Sequence, residues 1–170
     1  MNVAILLAGP SLAKLTAAPD ADLLIGVKRA ALRFPCDWCV VLDIPCLRSD
    51  WFRQVDAEQY LTRRDYRPKY TTRPGVTCEE MELVYPPSTK AKHWNMFSSS
   101  ASLVLAKFLG AKRIDVYGAD FGQAENDAEF DGYRSPEARY TTDRWELERS
   151  VWDETTRMIG IEVTRHGLDG

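Results

Sequence analysis

His93 and His166 are the only imidazoles in the sequence, and so the only side chains whose ordinary pKa puts proton transfer near neutral pH. His166 stands just past an apolar run, whereas His93 lies in a polar stretch beside Lys90 and Lys92. A second set of residues suits a different task, the holding of phosphate or a nucleotide. Ala8-Gly9-Pro10-Ser11 follows the first apolar run directly. Gly9 lets a ligand approach the backbone closely, and Ser11 offers a hydroxyl. The turn lacks the lysine and the longer glycine spacing of a Walker loop, and it is not the three-glycine dinucleotide fingerprint. By itself it is equally an ordinary strand-to-helix turn.

Three further groups join it. Ser98-Ser99-Ser100 precedes an apolar stretch: one hydroxyl can cap a helix and leave two for a ligand, or capping is all they do. Gly118-Ala119-Asp120-Phe121 ends another apolar run, and Asp120 suits a ribose hydroxyl, a metal ion or a turn cap. Lys28 and Asp43 each follow an apolar run of their own.

The elements that must position these groups form a repeating pattern. Asn2 to Leu7, Asp22 to Val27 and Asp37 to Leu42 read as buried strands. Ser11 to Ala18 and Lys28 to Leu32 are short helical stretches between them. The middle is less regular: Ser49 to Val55 reads as helical, Gln59 to Leu61 and Glu80 to Tyr85 as short strands, and Thr62 to Gly75 as polar loop. Ala101 to Leu109 is a helix apolar nearly all round, closed by Gly110 and followed by a strand, Arg113 to Tyr117. After a polar loop, Gly122 to Thr141, an amphipathic helix spans Asp143 to Ile159, with Trp145, Leu147, Val151, Trp152, Met158 and Ile159 on its apolar face. A last strand runs from Ile161 to Thr164. Strands alternating with helices predict an α/β, Rossmann-like, mainly parallel sheet flanked by helices, one domain over residues 1–170. In such sheets ligands bind outside the carboxyl ends of the strands. That rule gathers Gly9, Pro10, Ser11, Lys28, Asp43, Gly118, Asp120, Phe121 and His166 at one edge, with Ser98, Ser99 and Ser100 if their helix starts there.

Composition narrows the function classes. The 170 residues are 45% hydrophobic and 28% charged, with a formal net charge of -3, which demands neither a polyanion nor a membrane surface. No run approaches the roughly 18 apolar residues of a membrane span, and the N-terminal stretch lacks the basic flank of a secretory signal, so a cytoplasmic setting is expected. Cys36-Asp37-Trp38-Cys39 has a spacing used by zinc and redox sites. It leads into a strand, where residues three apart face opposite sides, and no second pair follows, so packing thiols are expected and no metal ligands are assigned. From Tyr60 to Arg73, basic residues (Arg63, Arg64, Arg67, Lys69, Arg73) alternate with tyrosines 60, 66 and 70. Such a stretch can hold single-stranded nucleic acid, flank an anionic substrate, or be a solvated loop.

Two blocks carry a family resemblance. Ile5-Leu6-Leu7-Ala8-Gly9-Pro10-Ser11-Leu12 resembles the G-N-G-P-S-L turn of bacterial lipooligosaccharide sialyltransferases and of the related motility-accessory and hydroxymethylpterin-pyrophosphokinase-like domains. Ser99-Ser100-Ala101, followed by Leu105 through Phe121, resembles that family's serine-led helix, its L-G-x-x-x-I strand entry and its G-x-D-F end. With the order and spacing of these blocks, and the closing helix and strand after them, the resemblance covers about half the chain. The resemblance implies a Rossmann-like fold and a nucleotide or nucleotide-sugar ligand near Gly9, Ser11, Ser99, Ser100 and Asp120. This sequence departs from the pattern in three places. Ala8 and Val27-Lys28 stand where the family carries asparagines, and Ala138-Arg139-Tyr140 stands where its catalytic histidine falls. Tyr133 and Tyr140 are the candidates for its phosphate-holding loop tyrosines.

The expectation is therefore a group transferase using a nucleotide-type donor, with Lys28 and Arg139 offsetting leaving-group charge and His166 as base. Asp43 or Asp120 would bind ribose or a divalent metal, and Tyr140 would contact the donor. The alternatives are a non-catalytic nucleotide-binding protein of the same fold, and nucleic-acid binding through residues 60–73.

Overall fold

A computed structural model describes residues 1–67, 69–86, 93–121 and 142–167, the side chain of Thr142 excepted. Seven strands, β1 (Asn2–Leu6), β2 (Leu23–Val27), β3 (Cys36–Val40), β4 (Ala57–Thr62), β5 (Gly75–Thr77), β6 (Arg113–Tyr117) and β7 (Glu162–His166), make one sheet. Their order is β5-β4-β3-β2-β1-β6-β7, and every neighbouring pair is parallel. The central strands are apolar throughout because both faces are covered. In β1, Val3 and Ile5 belong to one core and Ala4 and Leu6 to the other.

The covering differs between the two faces. On the first lie the helices α2 (Cys78–Val84), α3 (Ser98–Phe108) and α4 (Thr142–Ile159), which send Met81, Leu103, Val104 and Trp152 into the core with Val3 and Ile5. On the second, the connections are short: the 3-10 helices Pro10–Lys14, Lys28–Leu32 and Asp50–Gln54, and α1 (Ile44–Leu47), which contribute Leu12, Ala30, Cys46 and Phe52. The chain leaves β1 over the second face and rejoins the sheet from β6 to β7 over the first. The strand order therefore reverses between β1 and β6, which marks the carboxyl ends of these strands as the place where open α/β sheets form their ligand crevice.

Several local expectations are corrected. Glu80 to Tyr85 is not a strand: α2 covers Cys78–Val84. Its start is a capping box, in which Glu80 N–H donates to Thr77 Oγ1 at 3.2 Å and Thr77 N–H donates to Glu80 Oε2 at 2.8 Å. Leu83 is 84% exposed, so the alternation that resembled a strand is not a buried face. β5 instead occupies Gly75–Thr77, just after the polar stretch. The helix expected at Ser11 to Ala18 is a single 3-10 segment, Pro10–Lys14. In α4, Val151, Trp152 and Ile159 are buried, whereas Leu147 is 40% exposed and does not belong to the packed face.

Cys36 and Cys39 do not face opposite sides. Both lie in the second core, where Cys36, the first residue of β3, turns its Sγ toward the carbonyls of Phe34 (3.2 Å) and Ala31 (3.8 Å). All four cysteines are buried free thiols. Burial, then the neighbouring Asp37 and Asp56, pushes Cys36 up to about 12, and burial pushes Cys39 well above the ordinary thiol value. Both are held as packing thiols, and no group of three or more metal-ligating side chains occurs among the described residues.

Candidate functional site

At the crevice, β1 and β6 are fastened beyond their last paired residues. Leu7 N–H donates to Tyr117 O at 2.8 Å, and Gly9 N–H to Gly118 O at 2.9 Å. Asp120 completes the closure from the β6 side. Its Oδ2 accepts from Ser11 N–H at 2.7 Å and its Oδ1 from the Ser11 hydroxyl at 2.6 Å. Asp120 is 3% exposed, and it thereby caps the 3-10 helix that Pro10 opens. Gly9 is required by this contact: a Cβ there would lie 2.4 Å from both Asp120 Oδ2 and Gly118 O. Gly118 has φ +80, and a Cβ on it would lie 2.0 Å from Leu7 O. The two glycine-containing blocks are thus one interlocked unit.

Phe121 takes a left-handed conformation, φ 46, that only a well-supported side chain keeps. Its ring packs against Trp152 at 5.4 Å, and the Arg165 guanidinium lies over it at 5.1 Å while donating to Ala119 O.

Lys28 is the other left-handed residue besides glycines among the described residues, with φ 53, at the carboxyl end of β2. Val27-Lys28 is the stretch where the resembling family carries an asparagine, a side chain that tolerates this conformation better than lysine does. The Lys28 Nζ lies 2.7 Å from Asp43 Oδ2, joining the ends of β2 and β3. One such clasp therefore stands on each side of β1.

The serine-led helix does begin at this edge, since Leu42 N–H, just past β3, donates to Ser98 Oγ at 3.3 Å. None of the three hydroxyls caps α3. Ser99 donates to Glu148 Oε1 at 2.8 Å and Ser100 to Trp94 O at 2.6 Å, so each serine reaches a different element. All three are buried, and Glu148 also pairs with Arg144, whose guanidinium lies 5.4 Å from the Phe97 ring. The spare hydroxyls expected from the sequence are used inside the protein, and the residue before α3 is Phe97, whose side chain has no acceptor with which to cap the helix.

His166 ends β7, and Asp115 on β6 sits opposite Thr164 on the same face. Asp115 Oδ1 lies 2.8 Å from His166 Nε2, and the imidazole stacks on Tyr117 with ring centroids 4.7 Å apart and planes 12° apart. With Nε2–H donating to the carboxylate, the tautomer leaves Nδ1 as the proton acceptor. Burial raises the Asp115 carboxyl, but the His166 hydrogen bond and Arg113 outweigh it and hold it below the ordinary carboxylate value. The dyad adjoins the turn: Lys14 Nζ donates to Gly167 O at 3.3 Å, and a Cβ on Gly167 would lie 3.2 Å from Ser11 Cβ.

Sequence reasoning did not single out Asp115, Tyr117, Arg144, Glu148 or Arg165. Asp115 and Tyr117 alternate on a strand at the register of the last histidine, and Arg144 and Glu148 are four apart on an amphipathic helix. Those spacings are the signals that were available. His93 is used locally: its Nδ1 accepts from Asn95 N–H at 3.3 Å, and Nε2 lies 3.8 Å from Glu82. Arg139 and Tyr140, with Tyr133, lie outside the described residues. The basic residues of 60–73 do not form one strip: Arg63 donates to Asn95 O at 2.9 Å, Arg67 to Tyr60 O at 2.7 Å and Arg73 to Ala57 O at 2.8 Å. No helix among the described residues is long and apolar enough to cross a membrane.

No protein-family model matches the sequence, and no curated protein matches it. Solved structures do. A point variant of the sialyltransferase CstII in complex with CMP superposes over 100% of this chain and 82% of its own, with TM-score 0.66 at 12% identity. CstII with a trisaccharide acceptor and CMP gives TM-score 0.61 at 11% identity, over 100% of this chain and 82% of the other. The Campylobacter jejuni enzyme in complex with CMP-3FNeuAc gives 0.57 at 10% identity, over 99% of this chain and 81% of the other. At these identities the likeness establishes architecture: the chain has a divergent sialyltransferase-like, Rossmann-like fold.

Proposed function

We propose that the chain is a glycosyltransferase-like group transferase whose nucleotide-type donor lies in the crevice between β1 and β6. The observation that carries this reading is the switch point itself, where Gly9-Pro10-Ser11 and Gly118 to Phe121 meet, with α3 beginning at the same edge of the sheet, beside Leu42. The CMP complexes of the structural neighbours support a ligand of this class.

In this reading Gly9, Pro10, Ser11, Gly118, Phe121 and the backbone at Ser98, Ser99 and Ser100 shape the donor site. Asp120 positions the turn through Ser11. Lys28, held by Asp43, and Arg139 offset the charge that develops on the leaving phosphate, and Tyr140 adds a contact from the loop. His166 takes the acceptor proton at Nδ1, with Asp115 fixing its tautomer. β2 and β7 are three strand spacings apart, about 14 Å, a distance that an extended nucleotide sugar spans. Calorimetry across CMP, UMP, GDP and their sugar conjugates tests the proposal. Silence from every ligand at millimolar concentration refutes it. With an active donor, His166→Ala is expected to abolish turnover and keep donor affinity.

A second reading has one observation in its favour. The Asp120 carboxylate and the hydroxyls of Ser11, Ser98, Ser99 and Ser100 are all engaged internally, which suits a protein that binds a nucleotide without turning it over. A nucleotide that binds, depends on Lys28 and is never consumed with any acceptor selects this reading.

A further inference from the structure

Far from the crevice, on the second face of the sheet, a cleft of about 390 Å³ opens between α1, the 3-10 helix Asp50–Gln54, β4 and the segment leading into β5. Tyr60 and Tyr70 form aromatic parts of its wall, and Arg48, Arg53, Lys69 and Arg73 supply its charge, with no carboxylate in the lining. The volume is that of a small-molecule site. We propose that this cleft binds a small phosphorylated molecule, such as a sugar phosphate, at a site separate from the β1/β6 crevice.

The charges are the first argument. Among the described residues, none of these four cations is in an ion pair, whereas Lys28, Arg113, Arg144 and Arg157 each meet a carboxylate. On a chain with net charge -3, four unneutralised cations around one concavity are a local field of the opposite sign. Two of the arginines are also fixed in place. Arg73 donates to Ala57 O at 2.8 Å and lies 6.0 Å from the Tyr60 ring. Arg48 donates to Tyr70 Oη at 3.1 Å and lies 5.7 Å from that ring, which also carries Lys69 Nζ at 5.4 Å. Asp56 at the foot of β4 is the carboxylate whose charge is felt at Tyr60, where Arg73 opposes it.

Geometry then selects the ligand. Three guanidiniums and an ammonium converging from different elements present donors in several directions, which suits the oxygens of a tetrahedral phosphate. A cleft of this size favours a small molecule over a nucleic-acid strand, which needs a continuous groove. Arg63 and Arg67, which would extend such a groove, are not part of the cleft wall.

Titration calorimetry on the whole chain tests this with pyrophosphate and glucose 1-phosphate, alongside glucose, citrate and a single-stranded oligonucleotide. Saturable binding of both phosphates, one per chain, is expected, with glucose silent. Arg53→Gln and Lys69→Gln replace exposed cations that no ion pair holds, so the fold should tolerate them. Each should weaken binding by about tenfold, while Arg157→Gln on α4 changes nothing. Four results would overturn the proposal: no saturation, unchanged affinity in the two cleft variants, citrate bound as tightly as pyrophosphate, or oligonucleotide binding with pyrophosphate silent. A loss that follows Lys28→Gly instead of the cleft variants assigns the phosphate to the crevice and equally overturns it.

Discussion

Asp120 holds Ser11 twice, across 109 residues of sequence, with one carboxylate oxygen on the backbone N–H and the other on the hydroxyl. That pair fastens the turn after β1 to the end of β6, and it determines what the neighbouring glycines must be. Asp120→Ala removes a buried, charged double acceptor and leaves the Ser11 N–H without its partner. The expected loss is about 3 kcal/mol, against about 1 kcal/mol for Ser11→Ala, which removes only the hydroxyl bond. Urea unfolding of both variants and of the double variant measures the coupling. Strict additivity would show that the contact does not fasten the turn.

Gly9→Ala places a methyl group 2.4 Å from Asp120 Oδ2 and from Gly118 O. The carboxylate can swing, but the carbonyl belongs to backbone paired with Gly9 itself. The β1/β6 clasp must open, at a cost of about 2 kcal/mol or more. Thermal melts give the stability, and amide exchange at Gly9 and Leu7 should rise selectively if the clasp opens.

The parts of this arrangement that could be read from the sequence are those with local causes. β1 and β2 are nearly continuous apolar runs because both faces of the sheet are covered, β3 and β6 are mainly apolar, and the switch-point groups follow from their ends. α2 stands where a short strand is expected from Glu80 to Tyr85, although Thr77 and Glu80 carry the spacing of its capping box. β5, three residues long, carries no pattern to recognise. Partner choice was hidden for a different reason. The hydroxyls of Ser98, Ser99 and Ser100 look interchangeable in sequence, and their separate destinations at Leu42, Glu148 and Trp94 exist only once α3 is packed. Asp115 was passed over as one polar residue in a strand, and only the β6/β7 register gives it His166.

Lys28 allows binding to be separated from stability. Its left-handed backbone costs about 1 kcal/mol that glycine would relieve. Against this, Lys28→Gly loses an ion pair in which Asp43 is 44% exposed, worth at most about 1 kcal/mol, and makes the unfolded chain more flexible. These terms nearly cancel, so unfolding free energy should change by less than about 1 kcal/mol. Affinity for a nucleoside diphosphate should nevertheless fall by about tenfold or more, the loss of one charge-assisted phosphate contact. Calorimetry and urea unfolding on the same sample separate the two; unchanged affinity would remove Lys28 from the donor site.

The Asp115–His166 pair predicts a direction for acid sensitivity. The native Asp115 carboxyl titrates below its ordinary value, because the hydrogen bond from His166 and the charge of Arg113 outweigh the effect of burial. Its anionic form is therefore favoured in the folded state. The resulting stability is present in full above the unfolded value of about 3.9 and fades as pH falls through the lower native one. Asp115→Asn keeps the shape and loses this contribution. The variant should be less stable than the native chain near neutral pH, and the gap should narrow below about pH 4. The sign is opposite to that of a carboxyl raised by burial alone, whose removal would help most near neutral pH. Urea midpoints across the acid range read it directly, and a gap that widens on acidification would show that the pair does not hold the carboxylate in its charged form.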